Sequence, residues 1–323
     1  MYNAELKERF INQYSKSEYN RERVIKTFDA VERFELNSSS DICTMSKEMA
    51  TAALEKVAGI RSNVKSYRVA ILRSYVRWCI DNNIPGSCDG LLQVKIVGLD
   101  TIRHRMVANP KMLEKRLETI FDTGKSEYEI KHGYDNIYKA FYWMAFMGIP
   151  EEQIVEITAD EIRYDLMMIT HNGLNYQICV EALPVLRACA NEQQFLYIHA
   201  NYTSNLRDRV DGNILLRGFN GVTSVLALRS SLSRITKKRQ EDGISKDIRL
   251  SYVRVRLSGI FYRKYQDEIA GESISFRQEA QELVYSKEEH GDLTGKPLEA
   301  RIRKAERDYY NDYNRWKLAF SLA

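Results

Sequence analysis

Residues that interrupt a helix are scarce in this chain. Five prolines and 16 glycines are distributed over 323 residues, so long stretches contain no strong helix breaker. Apolar residues recur at spacings of three and four in several of these stretches, which is the period of an amphipathic helix. The sequence therefore predicts a mostly α-helical fold, and its length allows about two domains.

Three helices are predicted in the first hundred residues, over 20–36, 46–58 and 62–82. The third has the strongest pattern, because its apolar residues recur every three or four positions from Val64 to Trp78. The stretch that follows, up to residue 109, is weakly patterned. These features predict a helical N-terminal domain.

The dipeptide Asn109-Pro110 predicts the start of a second domain. Asn is a favoured N-cap, and Pro is favoured at the first helical position. We place the domain boundary just before it, which gives a helical domain over residues 1–105 and a second domain over 106–323. Helices are predicted in the second domain over 110–121 and 135–147.

A β-hairpin is predicted after these two helices. The β-prone runs 167–170 and 176–180 flank the dipeptide Asn172-Gly173, and Asn-Gly between two such runs favours a tight hairpin turn. We expect one small antiparallel sheet near residues 158 to 180. Helical periodicity returns after residue 225 and continues through a charged C-terminal third.

Positive charge is concentrated in two segments, although the formal net charge of the whole chain is only +4. The first has five cations and no acidic residue between positions 61 and 77, and the second has ten basic and three acidic residues between 234 and 264. Phosphate binding releases counterions and needs such concentrated charge. The predicted DNA-binding residues are Arg61, Lys65, Arg68, Arg73, Arg77, Lys237, Lys238, Arg239, Lys246, Arg249, Arg254 and Arg256.

A cationic helix face can also be a solvated surface without a partner. That interpretation suffices for one segment, but two segments in two predicted domains favour nucleic acid. The aromatic residues among the cations lie at helical spacing, which is more typical of core packing than of stacking on bases. The sequence therefore favours duplex DNA over single strands.

Cofactors, metals and membranes are not expected. The five cysteines include no Cys-x-x-Cys pair, and the five histidines lack metal-ligand spacing, so we predict reduced thiols and no metal. The charged N-terminal sequence and the short apolar runs predict neither secretion nor membrane insertion. We expect a cytoplasmic protein.

The order of these parts resembles the tyrosine recombinase, or phage integrase, family. The resemblance is carried by the helix around Tyr67, by the aromatic cluster that follows it at 75–78, and by Pro110-Lys111-Met112-Leu113, which is similar to the family's Pro-x-x-Leu linker. It implies a two-domain fold in which a helical core-binding domain precedes a catalytic-like domain with a small antiparallel sheet. It also implies a duplex DNA partner.

The family's catalytic positions depart from its pattern. Gly148-Ile149-Pro150 stands where the resemblance implies Gly-Leu-Arg, His171-Asn172-Gly173-Leu174 where it implies a lysine, and Ser251-Tyr252-Val253-Arg254 lacks the histidine of His-x-x-Arg. Three late tyrosines are candidate nucleophiles: Tyr309, Tyr310 and Tyr313. Phosphoryl transfer depends on positive charge around the reacting oxygens, so the degenerate set predicts a protein that is not an enzyme.

The chain also resembles recombinase-like master repressors of the lytic cycle in SPbeta-like Bacillus phages. This resemblance implies a transcriptional repressor that binds operator sites on duplex DNA and maintains the lysogeny of a temperate phage. Such a repressor would associate with the nucleoid of the bacterial host. A regulatory protein that relieves repression is a further expected partner.

Two alternatives remain open. The chain is an active, divergent integrase if Arg163 or Arg187 replaces the missing arginine, although both are expected on a strand edge and a surface helix. The second alternative is a helical protein-interaction module, in which the basic segments serve only solubility. Covalent capture of DNA by a tyrosine would identify an active integrase. Failure to bind a generic duplex would identify a protein-interaction module.

Overall fold

The fold is mostly helical, with two small antiparallel sheets. The computed structural model describes residues 1–57, 62–94, 99–198, 204–219, 221, 223–245, 247–285 and 295–322. It divides into two compact units, one formed by Met1–Arg103 with Ser275–Ala323 and the other by His104–Ile274. The predicted fold class, mostly α with a small antiparallel β component, is confirmed.

The first unit is entirely helical in its described residues. Its helices are α1 (Ala4–Tyr14), α2 (Glu18–Ser38), α3 (Lys47–Val57), α4 (Ser62–Asp81), α12 (Arg277–Tyr285) and α13 (Gly295–Ala319), and α5 (Leu99–Arg105) leads into the second unit. Helices α2, α3 and α4 confirm the three predicted ones. Helix α5 lies in the stretch that looked weakly patterned, and neither it nor α1 was predicted.

The core of the first unit contains both aromatic packing and a buried ion pair. The rings of Phe10 and Tyr75 meet edge to face, with centroids 5.3 Å apart. Lys7 and Glu35 are fully buried and form an ion pair. The second carboxylate oxygen of Glu35 accepts a hydrogen bond of 3.0 Å from the backbone amide of Ile42, so α1 and α2 are joined to the short segment before α3. Burial of such a charge is tolerated only because every partner is present.

The C-terminal residues 275–323 belong to the first unit. Helices α12 and α13 pack against each other, and α13 also contacts α4. Near its end, the backbone carbonyl of Ala319 accepts a hydrogen bond of 2.6 Å from Nε of Arg103. The predicted second domain, 106–323, includes these residues, and the domain limits 1–105 and 106–323 stay a prediction.

The second unit combines helices and both sheets. Its elements are α6 (Pro110–Phe121), α7 (Glu127–His132), α8 (Asp135–Met147), β1 (Ile162–Arg163), β2 (Met168–His171), β3 (Leu174–Gln177), α9 (Leu183–Asn191), β4 (Gln194–Ile198), β5 (Ser204–Asp208), α10 (Val225–Glu241) and α11 (Tyr252–Ile269). Helices α6 and α8 have the predicted bounds. The Asn109 side chain accepts a hydrogen bond of 2.9 Å from the backbone amide of Met112, which confirms the predicted cap.

The first sheet has the antiparallel order β1-β2-β3 and contains the predicted hairpin. Asn172 and Gly173 both have positive φ, 50° and 76°, which two-residue turns of this kind require. The prediction of a single sheet is wrong, because β4 and β5 form a second antiparallel pair. Strand β4 was missed because its sequence, 194–198, is a short run without apolar-polar alternation.

Helix α8 is the centre of the second unit. Every residue from Asn136 to Met147 is buried, so this helix is covered on all sides by its neighbours. Helix α11 packs most closely against it. A Cβ placed on Gly259 of α11 would lie 1.7 Å from the carbonyl oxygen of Phe146 in α8, so the two backbones meet where no side chain fits.

We predict that Gly259→Ala destabilises the second unit by at least about 2 kcal/mol, because the added methyl group must push the two helices apart. Alanine favours a helix by about 1 kcal/mol over glycine, so a net loss can come only from the crowding. Urea unfolding followed by near-ultraviolet circular dichroism measures the change. Val253→Ala, at an exposed position of α11, is the control and should shift stability by less than about 0.5 kcal/mol; equal midpoints for the two variants would contradict the prediction.

Candidate nucleic-acid interface

The outer face of α10 is cationic. Leu232 lies on the buried side of this helix, and Arg234, Lys237 and Lys238 are exposed. Among the described residues, Arg234 and Lys238 form no ion pair, and Lys237 has only a solvent-exposed one with Glu241 at 3.8 Å. An exposed pair of this kind stabilises little, so the charge of this face remains available to an anion.

A cavity of about 500 Å³ lies between α10 and the start of α11. Its polar lining includes Ser233, Thr236, Lys237, Arg249 and Ser251. Ser251 is the N-cap of the 18-residue α11, and its side chain makes no capping hydrogen bond. A helix N-terminus attracts anions through its free amides and dipole, and the two cations beside it add to that attraction. The cavity is chemically suited to a phosphate group.

One arginine of this cavity is already neutralised. Arg229 Nε donates a hydrogen bond of 2.6 Å to the carboxylate of Glu151, and a second guanidinium nitrogen pairs with the other oxygen. The hydrogen bonds to this buried carboxylate raise the pKa of Arg229. Glu151 directly follows Gly148-Ile149-Pro150, where the family resemblance implies an arginine. Because the pair has no net charge, this position does not supply the positive charge that the resemblance implies.

Two arginines of α11 donate hydrogen bonds to backbone carbonyls at the C-terminal end of α8. Arg256 Nε donates a hydrogen bond of 2.8 Å to the carbonyl of Gly148, and Arg263 Nη1 donates one of 2.9 Å to the carbonyl of Phe146. The last carbonyls of a helix have no partner within it, so these guanidinium groups supply what the helix cannot. Arg254, the arginine kept from the His-x-x-Arg pattern, is half-buried in the first turn of α11.

The cations of α4 are divided in a similar way. Arg68 Nη1 donates a hydrogen bond of 3.1 Å to the carbonyl of Val57, at the end of α3, and Arg73 Nη2 donates to the carbonyl of Val94. Arg77 is exposed and forms no ion pair with the described residues. The structure thus ties two of the predicted phosphate contacts to the backbone of their own unit.

The other predicted site residues are distributed as follows. Lys237, Lys238 and Arg249 are exposed, and Arg239 is half-buried at the end of α10. Arg61 and Lys246 lie outside the described residues, as does the side chain of Lys65. The structure brings Lys237 and Arg249 together at one cavity.

The late tyrosines form an aromatic cluster around Phe276. Its ring lies 5.8, 5.0 and 5.5 Å from those of Tyr309, Tyr310 and Tyr313, measured between centroids. Tyr313 is buried and stacks on Trp316. Burial raises the pKa of Tyr310, so its hydroxyl is harder to ionise. All three rings have a packing role in the first unit.

Other positions related to catalysis are also satisfied locally. His171, at the hairpin, is buried and its Nδ1 lies 2.8 Å from a carboxylate oxygen of Glu161. Arg163 is exposed on β1, and Arg187 is exposed on α9 with its guanidinium 5.3 Å from the centre of the Tyr164 ring. The expected placement of these two arginines, on a strand and a surface helix, is confirmed.

The described residues show no metal-ligand cluster, no disulfide and no helix suited to cross a membrane. They contain no group of three His, Cys, Asp or Glu side chains that could hold a metal ion. The five cysteines are free thiols. No helix in the described part of the chain is both long and apolar enough to cross a membrane.

The charge pattern of the sequence indicated only Lys237 and Arg249 among the residues that line the cavity between α10 and the start of α11. Ser233 and Thr236 carry no charge, although both lie one helical turn from a cation on α10. Arg229 was outside the counted basic segment, which began at Arg234. Its pairing with Glu151 joins positions 78 residues apart, and no local pattern reports such a contact.

Comparisons with known proteins match one part of the chain to a family. Residues 1–81 match the family model described as MrpR, N-terminal core-binding domain, and this segment ends with the last residue of α4. Among solved structures, the chain is similar to the integrase of the transposon Tn1549 in complex with circular intermediate DNA. The identity is 12%, the alignment covers 96% of this chain and 93% of that one, and the TM-score is 0.34. No curated protein matches the chain in sequence.

The division between structural and available cations can be tested at Arg256 and Arg249. We expect Arg256→Met to destabilise the second unit by about 1–3 kcal/mol, because the carbonyl of Gly148 loses its partner. Arg249→Met removes an exposed cation and should change stability by less than about 0.5 kcal/mol. Thermal unfolding of the two variants measures the difference. Equal stability of both variants would show that the Arg256 hydrogen bond is dispensable.

Proposed function

We propose that this protein is a non-enzymatic, sequence-specific binder of duplex DNA that acts as a transcriptional repressor and maintains the lysogeny of a temperate phage. The observation that carries the proposal is the cationic face of α10 beside the cavity at the start of α11. The match of residues 1–81 to a core-binding domain supports a second DNA contact in the first unit. The repressor role rests on the resemblance identified in the sequence.

The proposed binding surface has a defined set of residues. Lys237, Lys238 and Arg249 would contact phosphates, with the amides at the start of α11 as further donors. Arg77 is the exposed candidate on α4, and Arg61, Lys65, Arg239 and Lys246 remain proposed contacts. Arg68, Arg73 and Arg256 would reach DNA only by leaving the carbonyls they now bind. Arg254 is proposed as a phosphate contact of reduced reach.

Several features support the absence of strand cleavage. Glu151 stands beside the position where an arginine is implied, and its ion pair with Arg229 leaves no net positive charge there to hold a scissile phosphate. His171 at the hairpin is already paired with Glu161. The candidate nucleophiles pack around Phe276, and Tyr313 is buried. Phosphoryl transfer requires concentrated positive charge around the reacting oxygens to stabilise its transition state. These positions do not provide that charge.

A repressor of this kind would work at the nucleoid, in the cytoplasm of the bacterial host. Its specific partner would be a set of operator sites. A regulatory protein that releases it from DNA remains part of the proposal, on the same resemblance.

The number of neutralised phosphates can be measured from the salt dependence of binding. For Lys237→Gln and Arg249→Gln, log K should become less steep in log salt by about 0.9 for each phosphate that is no longer neutralised, with similar losses of affinity on operator and random DNA. Fluorescence anisotropy at several salt concentrations measures the slope. Arg163→Gln, which removes an exposed cation on β1, should leave the slope unchanged. Isotherms identical to those of the unsubstituted protein for both α10–α11 variants would contradict the proposed surface.

Loss of catalysis predicts that no late tyrosine hydroxyl is required. Tyr309→Phe, Tyr310→Phe and Tyr313→Phe should each change DNA affinity by less than about twofold, because a nucleophile without its cationic partners has no function. A nicked suicide substrate should trap no covalent protein–DNA adduct under denaturing electrophoresis, while an active integrase on its own substrate does. An adduct that one of the three variants abolishes would instead establish an active recombinase.

A further inference from the structure

The second half of α10 borders a second cavity, separate from the one at the start of α11. Its volume is about 620 Å³, and it lies among the end of α6, the junction of α7 and α8, strand β4 and residues 234–242 of α10. This volume is within the usual range for small-molecule sites. Its lining is chemically uneven, with an apolar part and a charged rim.

The apolar part is rigid and aromatic. Tyr134 stacks on Phe219 with ring centroids 4.7 Å apart and meets Phe195 and Tyr138 edge to face at 6.0 and 5.6 Å. Further apolar side chains that line the cavity are Ile120, Leu196, Ile235 and Ile244. Together they form a wall on which a flat organic group could pack.

The carboxylates of the rim are mostly engaged. Asp135 forms an ion pair with Lys125. The carboxylate of Glu129 accepts hydrogen bonds of 2.7 and 2.8 Å from the backbone amide and the hydroxyl of Ser126. Asp242 is the remaining carboxylate that lines the cavity. Lys125 thus neutralises the charge of Asp135, whereas Glu129 and Asp242 keep theirs.

The cations that α10 contributes to the rim have no carboxylate partner among the described residues. Arg234, Lys238 and Arg239 line the cavity from α10, and within the described part of the chain none of them forms an ion pair. Three cations beside two carboxylates that form no ion pair with the described residues, Glu129 and Asp242, leave one net positive charge at the rim, which favours an anion. A hydrophobic wall with a few convergent charged groups is the usual composition of a ligand site.

We propose that this cavity binds a small organic anion with a flat apolar body. The anionic group lies against Arg234 and Lys238, and the apolar body packs on the wall formed by Tyr138, Leu196 and Ile235. Because Lys238 and Arg239 also belong to the proposed DNA-binding surface, a bound anion weakens DNA binding. This regulatory effect rests on the proposed function, whereas the ligand site does not.

Three probes with the same ring test the charge preference without DNA. Indole-3-acetate is anionic, indole-3-acetamide is neutral and tryptamine is cationic. Ligand-observed NMR titrations should give a Kd on the order of 1 mM for the acetate, as expected for a fragment of this size. The amide should bind at least about tenfold more weakly and tryptamine more weakly still. Equal binding of the acetate and the amide, or no saturable binding of the acetate up to about 10 mM, overturns the proposal.

Substitutions then place the binding at this cavity. The double variant Arg234→Gln/Lys238→Gln should weaken acetate binding at least about fivefold and leave amide binding unchanged. Lys111→Gln removes an exposed cation of the same unit that does not line the cavity, and it should bind the acetate as the unsubstituted protein does. Circular dichroism confirms folding of both variants. Acetate binding unaffected by the double substitution overturns the assignment.

The regulatory effect has its own measurement. Saturating acetate should lower the affinity for duplex DNA at least about threefold at constant ionic strength, and DNA should lower the affinity for acetate by the same factor. An unchanged DNA affinity overturns the regulatory effect. If the protein binds no DNA at all, the proposed function fails, while the probe titrations still decide whether the ligand site exists.

Discussion

The close contact of α8 with α11 at Gly259 is the constraint on which the second unit depends. Because the two backbones touch at Phe146, the side chains of α11 on either side of Gly259 can reach the end of α8. Arg256 and Arg263 use this proximity to bind the carbonyls of Gly148 and Phe146. The position of α11 then determines where its first turn lies. Because residues 251–253 line the cavity beside α10, the cavity depends on that position too.

Cations in this protein serve two different purposes, and their sequence pattern does not separate them. Arg68, Arg73 and Arg256 satisfy backbone carbonyls, whereas Lys237 and Arg249 remain exposed. Each of these three arginines binds a carbonyl of another segment of its unit. A local count of charge registers both kinds equally, so the predicted basic segments overstate how much positive charge is available to a ligand.

Local features of the sequence predicted local features of the fold well. The cap at Asn109, the turn at Asn172-Gly173 and the helices α2, α6 and α8 depend on interactions within a few residues. The pairing of β4 with β5, the packing of residues 275–323 in the first unit and the ion pair of Glu151 with Arg229 depend on partners far away in sequence. In the candidate site, charge and helix periodicity indicated α10 and α11, but only tertiary packing decided which of their side chains reach a cavity.

The discontinuous first unit affects how the chain acquires its structure during synthesis. Helices α1 to α4 leave the ribosome early, but α12 and α13 are made only after the whole second unit, on the order of ten seconds or more later at typical elongation rates. Until then, the surface of α4 that α13 covers is without its partner. The first unit of a nascent chain therefore stays incomplete while the second unit is synthesised. If synthesis ends early, within the last fifty residues or so, the product has a first unit that lacks part of its C-terminal helices.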